Sequence, residues 1–345
     1  MRHSNTIGVD LAKNVIQVSV VTPSNKELSN RELSRPKFAE YLAKQSPALV
    51  AFEACATAHH WARLAASHGH RVKIIPAIAV APFRQGHKTD RNDALAVAEA
   101  ANRPNIKLAP LKTIDQQAMQ AVHRSRELVI QDRTALSNHI RGLLLEFGIA
   151  IPKGFAYLRQ RVPLILEDAS NGLPMAYRPT LQRLFHRFLA MEQDLAFMDE
   201  QIAALVKTND GCRRLMALEG VGPIGAVLLY ATLGTGEAFK NGREFSAYLG
   251  LTPKQYSSGG KANIIGISKR IANRRLRAVL IQGARSYLRQ HKQVDSRKDL
   301  WLIDLQARAG TGRAAVALAN KNVRTAWSML TQGTEYQRHS SKVAA

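Results

Sequence analysis

Acidic residues are scarce in this chain of 345 residues, which has 26 Asp and Glu against 49 Lys and Arg and a formal net charge of +23. Such a surplus creates a positive field whose usual partner is a polyanion, nucleic acid first. Long apolar runs are also missing, since none approaches the ~18 residues of a membrane-spanning helix. The first ten residues lack the apolar character of a secretion signal. We therefore expect no membrane partner and a cytoplasmic, nucleoid-associated protein.

Cysteine is the rarest residue, with only Cys55 and Cys212 present. Two distant cysteines exclude a disulfide framework and a cysteine zinc site. The hydrophobic content of 46% and the charged content of 22% are ordinary for a globular protein, which excludes a disordered or collagen-like chain. The length suits two domains or three modest ones.

The positive charge is concentrated toward the C-terminal end. Residues 1–110 carry a net +7, residues 111–210 a net +1 and residues 211–345 a net +15. Between Phe245 and Val294 there is no Asp or Glu, but there are ten Lys and Arg. Because nothing nearby neutralises this field, phosphate binding is favoured over a merely solvated basic face. The expected nucleic-acid contacts are Lys254, Lys261, Lys269, Arg270, Arg274, Arg275 and Arg277.

Residues 1–110 alternate between strand and helix patterns. Two β-rich runs, 6–10 and 15–21, predict a hairpin, and a weaker third strand is expected over 26–33. This order predicts an α/β domain with a mixed sheet. Further strands are predicted over 48–53 and 71–75, and helices over 58–67, 78–85 and 91–102.

Residues 111–210 have helical periodicity and little strand character. Residues 116–147 predict one long helix or two joined ones, 152–172 is interrupted by proline and glycine, and 181–206 is helical again. This segment suits either an oligomerisation region of coiled-coil type or a helical layer packed on its own chain.

Residues 211–331 predict a mainly α C-terminal domain. It has an apolar helix over 226–233, a Gly/Ser loop over 256–261 and a basic helix over 273–288. We expect residues 332–345 to form a disordered tail.

Four acids in the first domain have suggestive positions. Asp10 and Glu53 each end an apolar, strand-like run, and Asp90 and Asp93 stand three apart at a helix start. An acid at the end of a buried strand is costly without a cation or donor. Carboxylates gathered from two strands and one helix suit Mg²⁺, with Mn²⁺ as a substitute, and metal ions so held serve phosphodiester chemistry. The alternative is that Asp90 is only a helix cap and Asp93 only a partner of the helix dipole.

The segment from Gly220 to Gly225, GVGPIG, resembles the hairpin of a helix-hairpin-helix motif. There, glycines allow close backbone approach, and amides at a helix N-terminus meet a phosphate. Gly220 and Gly222 are the candidate phosphate-binding positions, and an ordinary tight turn is the alternative.

Ser257 and Ser258 lie in the most basic stretch, where a hydroxyl needs a base, a metal or cationic stabilisation to act as a nucleophile. Taken alone, that segment is more typical of a glycine-rich linker.

Five segments, in order, resemble the DEDD transposases of bacterial insertion sequences. The similarity covers nearly the whole chain, roughly from Thr6 to Leu330, and the AHHWAR stretch is similar to the subgroup with subterminal inverted repeats. The segments read IGVDLAK, FEACATAHHWAR, GHKTDRNDALAVAEA, LEGVGPIGA and YLGLTPKQYSSGGKANIIGISKR.

The resemblance implies a catalytic domain over 1–110 that is similar to the Holliday-junction resolvase RuvC, with an RNase H-like sheet. A helical, coiled-coil segment over 111–210 and a transposase domain over 211–331 would follow. By the same resemblance, Ser258 would be a serine nucleophile, and a structured RNA encoded by the element would choose the target. The four acids of this family correspond to Asp10, Glu53, Asp90 and Asp93.

The sequence therefore predicts a Mg²⁺-dependent transposase that cuts and rejoins DNA through a phosphoserine intermediate. Its expected partners are the double-stranded DNA of the element ends and target, a guide RNA, and further copies of itself in a dimer or tetramer. One alternative is a junction-specific endonuclease that uses water, with Ser258 irrelevant. Another is a non-catalytic nucleic-acid-binding protein.

Overall fold

The computed structural model describes residues 5–258, 261–268, 271, 273–290 and 296–337. The chain divides into two compact units, each assembled from separated segments. Unit 1 takes the described residues within Met1–Gln116, Thr232–Arg277 and Val323–Thr334, and unit 2 those within Gln117–Ala231, Ala278–Asn322 and from Glu335 onward. This division differs from the three consecutive zones expected from the sequence, because the chain passes between the units more than once.

The strands of unit 1 form a five-stranded sheet and a separate two-stranded hairpin. The order in the larger sheet is β3-β2-β1-β4-β5. The first three strands pair antiparallel, whereas β4 joins β1 in parallel and β5 joins β4 in parallel. The mixed α/β sheet predicted from the sequence is confirmed. The strands are β1 (Thr6–Leu11), β2 (Val15–Val21), β3 (Glu27–Ser34), β4 (Leu49–Glu53), β5 (Arg71–Ile75), β6 (Pro253–Ser258) and β7 (Lys261–Ile267).

Helices make up most of the remaining described chain. In chain order they are α1 (Arg35–Lys44), α2 (Ala58–Ser67), α3 (Ala77–Val80), α4 (Asp90–Ala101), α5 (Ile114–Glu146), α6 (Phe155–Glu167), α7 (Arg178–Thr208), α8 (Asp210–Leu215), α9 (Pro223–Leu233), α10 (Gly242–Tyr248), α11 (Arg274–Gln290), α12 (Arg297–Ala309) and α13 (Thr311–Gln332). None of the helices in the described ranges is long and apolar enough to cross a membrane.

The larger sheet is buried on both faces, and β4 shows why. Val50 and Phe52 join a core with Phe38 of α1 and Trp61 of α2. The intervening Leu49 and Ala51 join a core with Val97 of α4 on the opposite face. Since alternate residues of a strand point to opposite faces, a continuous apolar run such as ALVAF suits a central strand between two helical layers.

Three local expectations need correction. The helix expected over 78–85 is only α3 followed by a 3₁₀ turn at Ala81–Phe83, because Pro82 lacks the amide hydrogen that would continue the helical hydrogen bonds. The loop expected over 256–261 is wrong for residues 256–258, which continue β6. The segment from 152 to 172 is not simply interrupted, since α6 continues through Pro163 with Leu158 and Val162 fully buried.

The helices of unit 2 have apolar cores of their own. One core joins Leu144 of α5, Leu158 of α6 and Phe188 of α7. Another joins Met119, Ile202 and Val227. Helix α5 is continuous over 33 residues, so of the two alternatives for this segment the single long helix is confirmed.

Candidate active site

The two strand-end acids lie side by side. Strands β1 and β4 are parallel neighbours, and Val9 is the register partner of Phe52. Asp10 and Glu53 are each the next residue along, so their backbones leave the paired region at the same edge of the sheet. Both side chains are half-buried. The sheet topology therefore brings together two carboxylates that are 43 residues apart in the sequence.

Helix α4 brings the other two acids to the same edge, and Gly8 sets its position. A β-carbon built on Gly8 would lie 2.6 Å from the β-carbon of Ala98, so only glycine lets α4 approach β1 this closely. Asp10 is two residues beyond Gly8 and therefore points to the same face of the strand. The first turn of α4, with Asp90 and Asp93, belongs to the helix that packs on that face.

The N-terminal cap of α4 is Thr89, not Asp90. The Thr89 Oγ1 accepts a hydrogen bond from the backbone N–H of Asn92 at 3.3 Å, and the Thr89 carbonyl accepts one from the N–H of Asp93 at 2.9 Å. The alternative in which Asp90 serves only as the cap is therefore excluded. Its carboxylate remains exposed beside the other acids.

The four acids interact electrostatically. The pKa of Asp10 is raised from 3.8 to about 6. Burial is the largest cause, and the negative charges of Asp90, Asp93 and Glu53 add to it. Burial and the charge of Asp93 also raise the pKa of Glu53, against the opposing effect of Arg84 and Lys88. Burial and the neighbouring negative charges therefore disfavour the ionised form of Asp10, and a cation bound here would offset that cost.

A cationic side chain already meets this site. The Arg84 guanidinium donates a hydrogen bond to Asp93 Oδ1 at 3.1 Å, and its positive charge lowers the pKa of Glu53. Neither Arg84 nor Lys88 is marked in the sequence, because their spacing relative to the acids carries no recognisable signal. They lie in the connection between the 3₁₀ turn and α4, so the fold alone shows their relation to the acids.

The donor set suits a hard divalent cation, although the carboxylates are not drawn tightly together. Within the described residues, no group of three His, Cys, Asp or Glu is close enough to hold a metal ion as it stands. Carboxylate oxygens from two strands and one helix fit the ligand preference of Mg²⁺, which keeps several waters.

The candidate nucleophile lies on the hairpin of β6 and β7. Ser258 is the last residue of β6 and the register partner of Lys261. The neighbouring Ser257 pairs with Ala262, and its Oγ accepts a hydrogen bond from Gln255 Nε2 at 2.8 Å. The backbone partner of β6 is β7; Ser258 shares unit 1 with the four acids.

The candidate basic residues differ in their surroundings. Arg274 and Arg275 are exposed in the first turn of α11, and Lys254 is exposed on β6. Arg277 instead donates to the backbone carbonyls of Gly250, at 3.2 Å, and Ser268. Its guanidinium therefore fastens the base of the hairpin. Lys261 belongs to β7, and the expected contacts Lys269 and Arg270 lie outside the described residues.

The two hairpin glycines also differ. Gly220 has a φ of +76°, and a β-carbon there would lie 2.6 Å from the carbonyl oxygen of Gly283 in α11. Its lack of a side chain therefore serves close packing within unit 2. Gly222 is exposed directly before α9, with nothing within 4 Å of the place a β-carbon would take. Only Gly222 has the open approach that a phosphate would need.

Glu219, the residue directly before Gly220, is held by a buried cluster of polar side chains. Lys298 Nζ contacts a carboxylate oxygen of Glu219 and donates to Asn322 Oδ1 at 3.0 Å. Asn322 Nδ2 donates to the main-chain oxygen of Glu219 at 2.7 Å, and the Tyr336 hydroxyl donates to its Oε1 at 2.8 Å. Tyr336, which lies in the segment expected to be disordered, is thus fixed in unit 2.

Comparison with known families supports the same interpretation. A DEDD transposase model of the IS110 type, described as a transposase, matches residues 7–149. The model described as the transposase IS116/IS110/IS902 family matches residues 212–299. The first match contains all four acids, and the second contains Gly220, Gly222 and Ser258.

Curated relatives extend the similarity over almost the whole chain. A transposase for insertion sequence element IS1111A from Coxiella burnetii is 37% identical over 337 residues, covering 98% of this chain and 92% of the relative. A protein named probable family 20 transposase from Pseudomonas aeruginosa is 39% identical, covering 96% and 98%. A transposase for insertion sequence element IS1328 from Yersinia enterocolitica is 35% identical, covering 98% and 100%.

Proposed function

Because this chain belongs to the IS110/IS116/IS902 family of insertion-sequence transposases, we propose that its DNA strand transfer proceeds through a covalent phosphoserine at Ser258. The observation that carries the proposal is the convergence of Asp10, Glu53, Asp90 and Asp93 at one edge of a sheet whose order suits an RNase H-like, RuvC-like domain. The Ser258 assignment rests on the family resemblance and on the position of this residue at the end of β6.

The four acids would hold Mg²⁺, or Mn²⁺ in its place. Bound there, such an ion would supply Lewis-acid stabilisation of the charge that develops on the phosphodiester. Arg84, which contacts Asp93 at 3.1 Å, would orient that carboxylate. Asp10 must lose its proton to act as a ligand, so its raised pKa of about 6 favours metal binding at neutral rather than acidic pH.

In the proposed step, the Ser258 oxygen bonds to phosphorus while one bridging ester bond to deoxyribose breaks. The serine hydroxyl gives up its proton, and the departing deoxyribose oxygen takes one up. Attack on the phosphoserine by another deoxyribose hydroxyl then restores a DNA phosphodiester and frees the serine. Each exchange conserves the number of phosphoester bonds, so rejoining needs no external energy source. Exposed cations on β6 and α11, such as Lys254 and Arg274, would offset the phosphate charge.

The proposed partners follow from the charge and the family. Double-stranded DNA of the element ends and target suits the acid-free basic stretch between Phe245 and Val294. We further propose a structured guide RNA encoded by the element, on the family resemblance. Self-association into a dimer or tetramer is supported by exposed apolar side chains on the long helices, among them Leu128 and Phe197.

The decisive test is a denaturation-resistant protein–DNA adduct. Wild-type protein incubated with element-end DNA, guide RNA and Mg²⁺ should form it, and mass spectrometry after nuclease digestion should place the phosphonucleotide on Ser258. Ser258→Ala should bind DNA but form neither adduct nor recombinant product. Ser257→Ala is the matched control and should keep activity. Metal-dependent cleavage without an adduct would instead identify a nuclease that uses water.

A further inference from the structure

The hairpin of β6 and β7 is a two-stranded sheet of its own, and its described side chains are exposed. Every residue over 253–257 and 263–266 is exposed. Three of them are large apolar side chains, namely Tyr256, Ile264 and Ile265, with exposed fractions of 65%, 69% and 51%. A two-stranded hairpin is only marginally stable in water, and neighbouring exposed apolar side chains mark an interaction surface. The hairpin therefore has the character of a surface that a partner covers.

The strand register places a defined set of side chains on one face of this hairpin. Beyond the irregularity at Pro253, Lys254 pairs with Ile265, and Tyr256 pairs with Asn263. Directly paired residues of antiparallel strands point to the same face, and so do residues two apart on one strand. These four residues therefore share one face, which we call the tyrosine face. It combines an aromatic ring, an ammonium group, an amide and an aliphatic side chain.

The base of the hairpin is fixed, so the tyrosine face is held in place. The Arg277 guanidinium donates to the backbone oxygen of Gly250 at 3.2 Å and to that of Ser268, and these residues flank the hairpin on either side. Leu251, two residues before β6, is only 1% exposed. A ligand of the tyrosine face thus meets a platform that is already anchored, which lowers the entropic cost of binding.

The charge around the tyrosine face indicates what covers it. No Asp or Glu occurs between Phe245 and Val294, and Lys254 on the face itself is exposed. A second copy of this chain would bring the same positive charge to the contact, and like charges would oppose it. A nucleic acid fits both parts of the face, because its phosphates pair with the cations and its bases stack on the ring. Exposed aromatic rings in basic surroundings bind unpaired bases in this way.

The position of Tyr256 in β6 indicates which base would reach it. Tyr256 precedes Ser258 by two residues, so their backbones are separated by about 6.6 Å along the strand, at ~3.3 Å per residue. Stacked nucleotides follow one another at about 3.4 Å along one DNA strand. A base on the Tyr256 ring therefore lies within about two nucleotides of a phosphodiester at Ser258. Strand exchange requires the bases beside the cut to leave their old partners, so unpaired bases arise at this place.

We propose that Tyr256 is a positioning residue, whose ring stacks on an unpaired base of the DNA strand that Ser258 attacks. Lys254 binds a phosphate of the same strand. The stacked base fixes the register of the strand on the hairpin, so that one phosphodiester is presented for reaction. Tyr256 does not touch the reacting phosphorus. This inference rests on the proposed function, but binding alone can test the contact.

Photocross-linking tests the contact where no strand cleavage takes place. The probe is a short oligothymidylate in which 5-iodouracil replaces thymine, added to the full chain in EDTA. Near-ultraviolet light joins iodouracil to an aromatic ring stacked on it. Mass spectrometry after nuclease digestion should place the linked nucleotide on Tyr256. The anisotropy of a fluorescein-labelled oligothymidylate then gives the dissociation constant of each variant.

The variants separate a stacked ring from general attraction to a basic protein. Tyr256→Leu should weaken oligothymidylate binding by about tenfold, the loss typical of one stacked base, whereas Tyr256→Phe keeps the ring and should bind as the wild type does. Tyr157→Leu is the matched control, since Tyr157 is an exposed tyrosine of α6 with the exposed Arg159 and Arg161 in the same helix. It should change binding by less than about twofold.

A cross-link elsewhere than on Tyr256, or equal losses in Tyr256→Leu and Tyr157→Leu, would overturn the stacking contact. Weaker self-association of Tyr256→Leu in sedimentation, with unchanged oligothymidylate binding, would show that a second copy covers the tyrosine face instead.

The adduct assay reports separately on the proposed function. Tyr256→Leu should form the adduct with a raised KM, and Tyr256→Phe should restore the wild-type KM. If Tyr256→Leu forms the adduct with wild-type KM, the positioning role is wrong while the phosphoserine proposal stands. If the cross-link forms on Tyr256 but no adduct ever forms on Ser258, the base contact stands and the phosphoserine proposal is wrong.

Discussion

Gly8 of β1 and Ala98 of α4 meet so closely that a β-carbon on Gly8 would lie 2.6 Å from that of Ala98. Gly8→Ala should therefore push α4 away and cost about 1–3 kcal/mol of unfolding free energy. Because Asp90 and Asp93 move with α4, Mg²⁺ should stabilise this variant less than the wild type. Urea unfolding with and without Mg²⁺ measures both effects. Gly266→Ala, at a strand glycine with open surroundings, is the control; equal losses in the two variants would contradict the prediction.

Much of the larger sheet could be predicted because its strands are marked locally. The alternation in β2 and the apolar run of β4 show their character without tertiary information, and those predictions are confirmed. The convergence of Asp10 with Glu53 depends instead on β1 and β4 being neighbours, which the sequence does not specify. Strand β6 was missed because the Ser and Gly residues beside Tyr256 obscured its pattern.

The second prediction concerns the pH dependence of stability without metal. The pKa of Asp10 is about 6 in the folded protein, whereas an unperturbed Asp, as in the unfolded chain, has a pKa of 3.8. Between these two pH values the folded state holds a proton that the unfolded state has lost. The contribution of Asp10 to the stability of the folded protein therefore becomes unfavourable as the pH rises from 3.8 to about 6. Asp10→Asn should stabilise the metal-free protein by about 1–2 kcal/mol at neutral pH, allowing for partial exposure, with no gain below about pH 4.

Urea unfolding in EDTA across this pH range measures that difference. Adding Mg²⁺ should make the wild type the more stable of the two proteins at neutral pH, because the wild type then gains metal-binding energy that Asp10→Asn loses. A gain in stability that does not vary with pH would show that the Asn side chain acts through packing instead of charge.

The third prediction separates two helix glycines. Alanine is normally favoured over glycine inside a helix by about 0.5–1 kcal/mol. Gly142→Ala in α5 should show that gain, since nothing lies within 4 Å of its β-carbon position. Gly283→Ala in α11 should instead destabilise the protein, because the new β-carbon would run into the carbonyl of Gly220. Similar gains in both variants, measured by thermal unfolding, would mean that α11 and the 220–222 turn can separate freely.

The fourth prediction separates two arginines of α11. If Arg274 contacts a phosphate, Arg274→Ala should lower the slope of log K against log salt by about 0.9 on duplex DNA. Arg277→Ala should chiefly lower stability, because its guanidinium binds the carbonyls of Gly250 and Ser268. Binding measured over a range of salt concentrations, together with unfolding curves, distinguishes the two roles. A larger slope change in Arg277→Ala than in Arg274→Ala would reverse this assignment.

The interleaving of the two units constrains how the protein can be made and divided. Unit 1 needs residues from near position 6 and from Val323–Thr334, and unit 2 needs Glu219 together with Tyr336. During synthesis, therefore, neither unit can be completed until the ribosome has added almost the last residue that the structure describes. Contacts so distant in sequence also predict slow folding. The matched segment 212–299 lacks Asn322 and Tyr336, so a fragment cut at those limits would bury Lys298 and Glu219 without two of their partners.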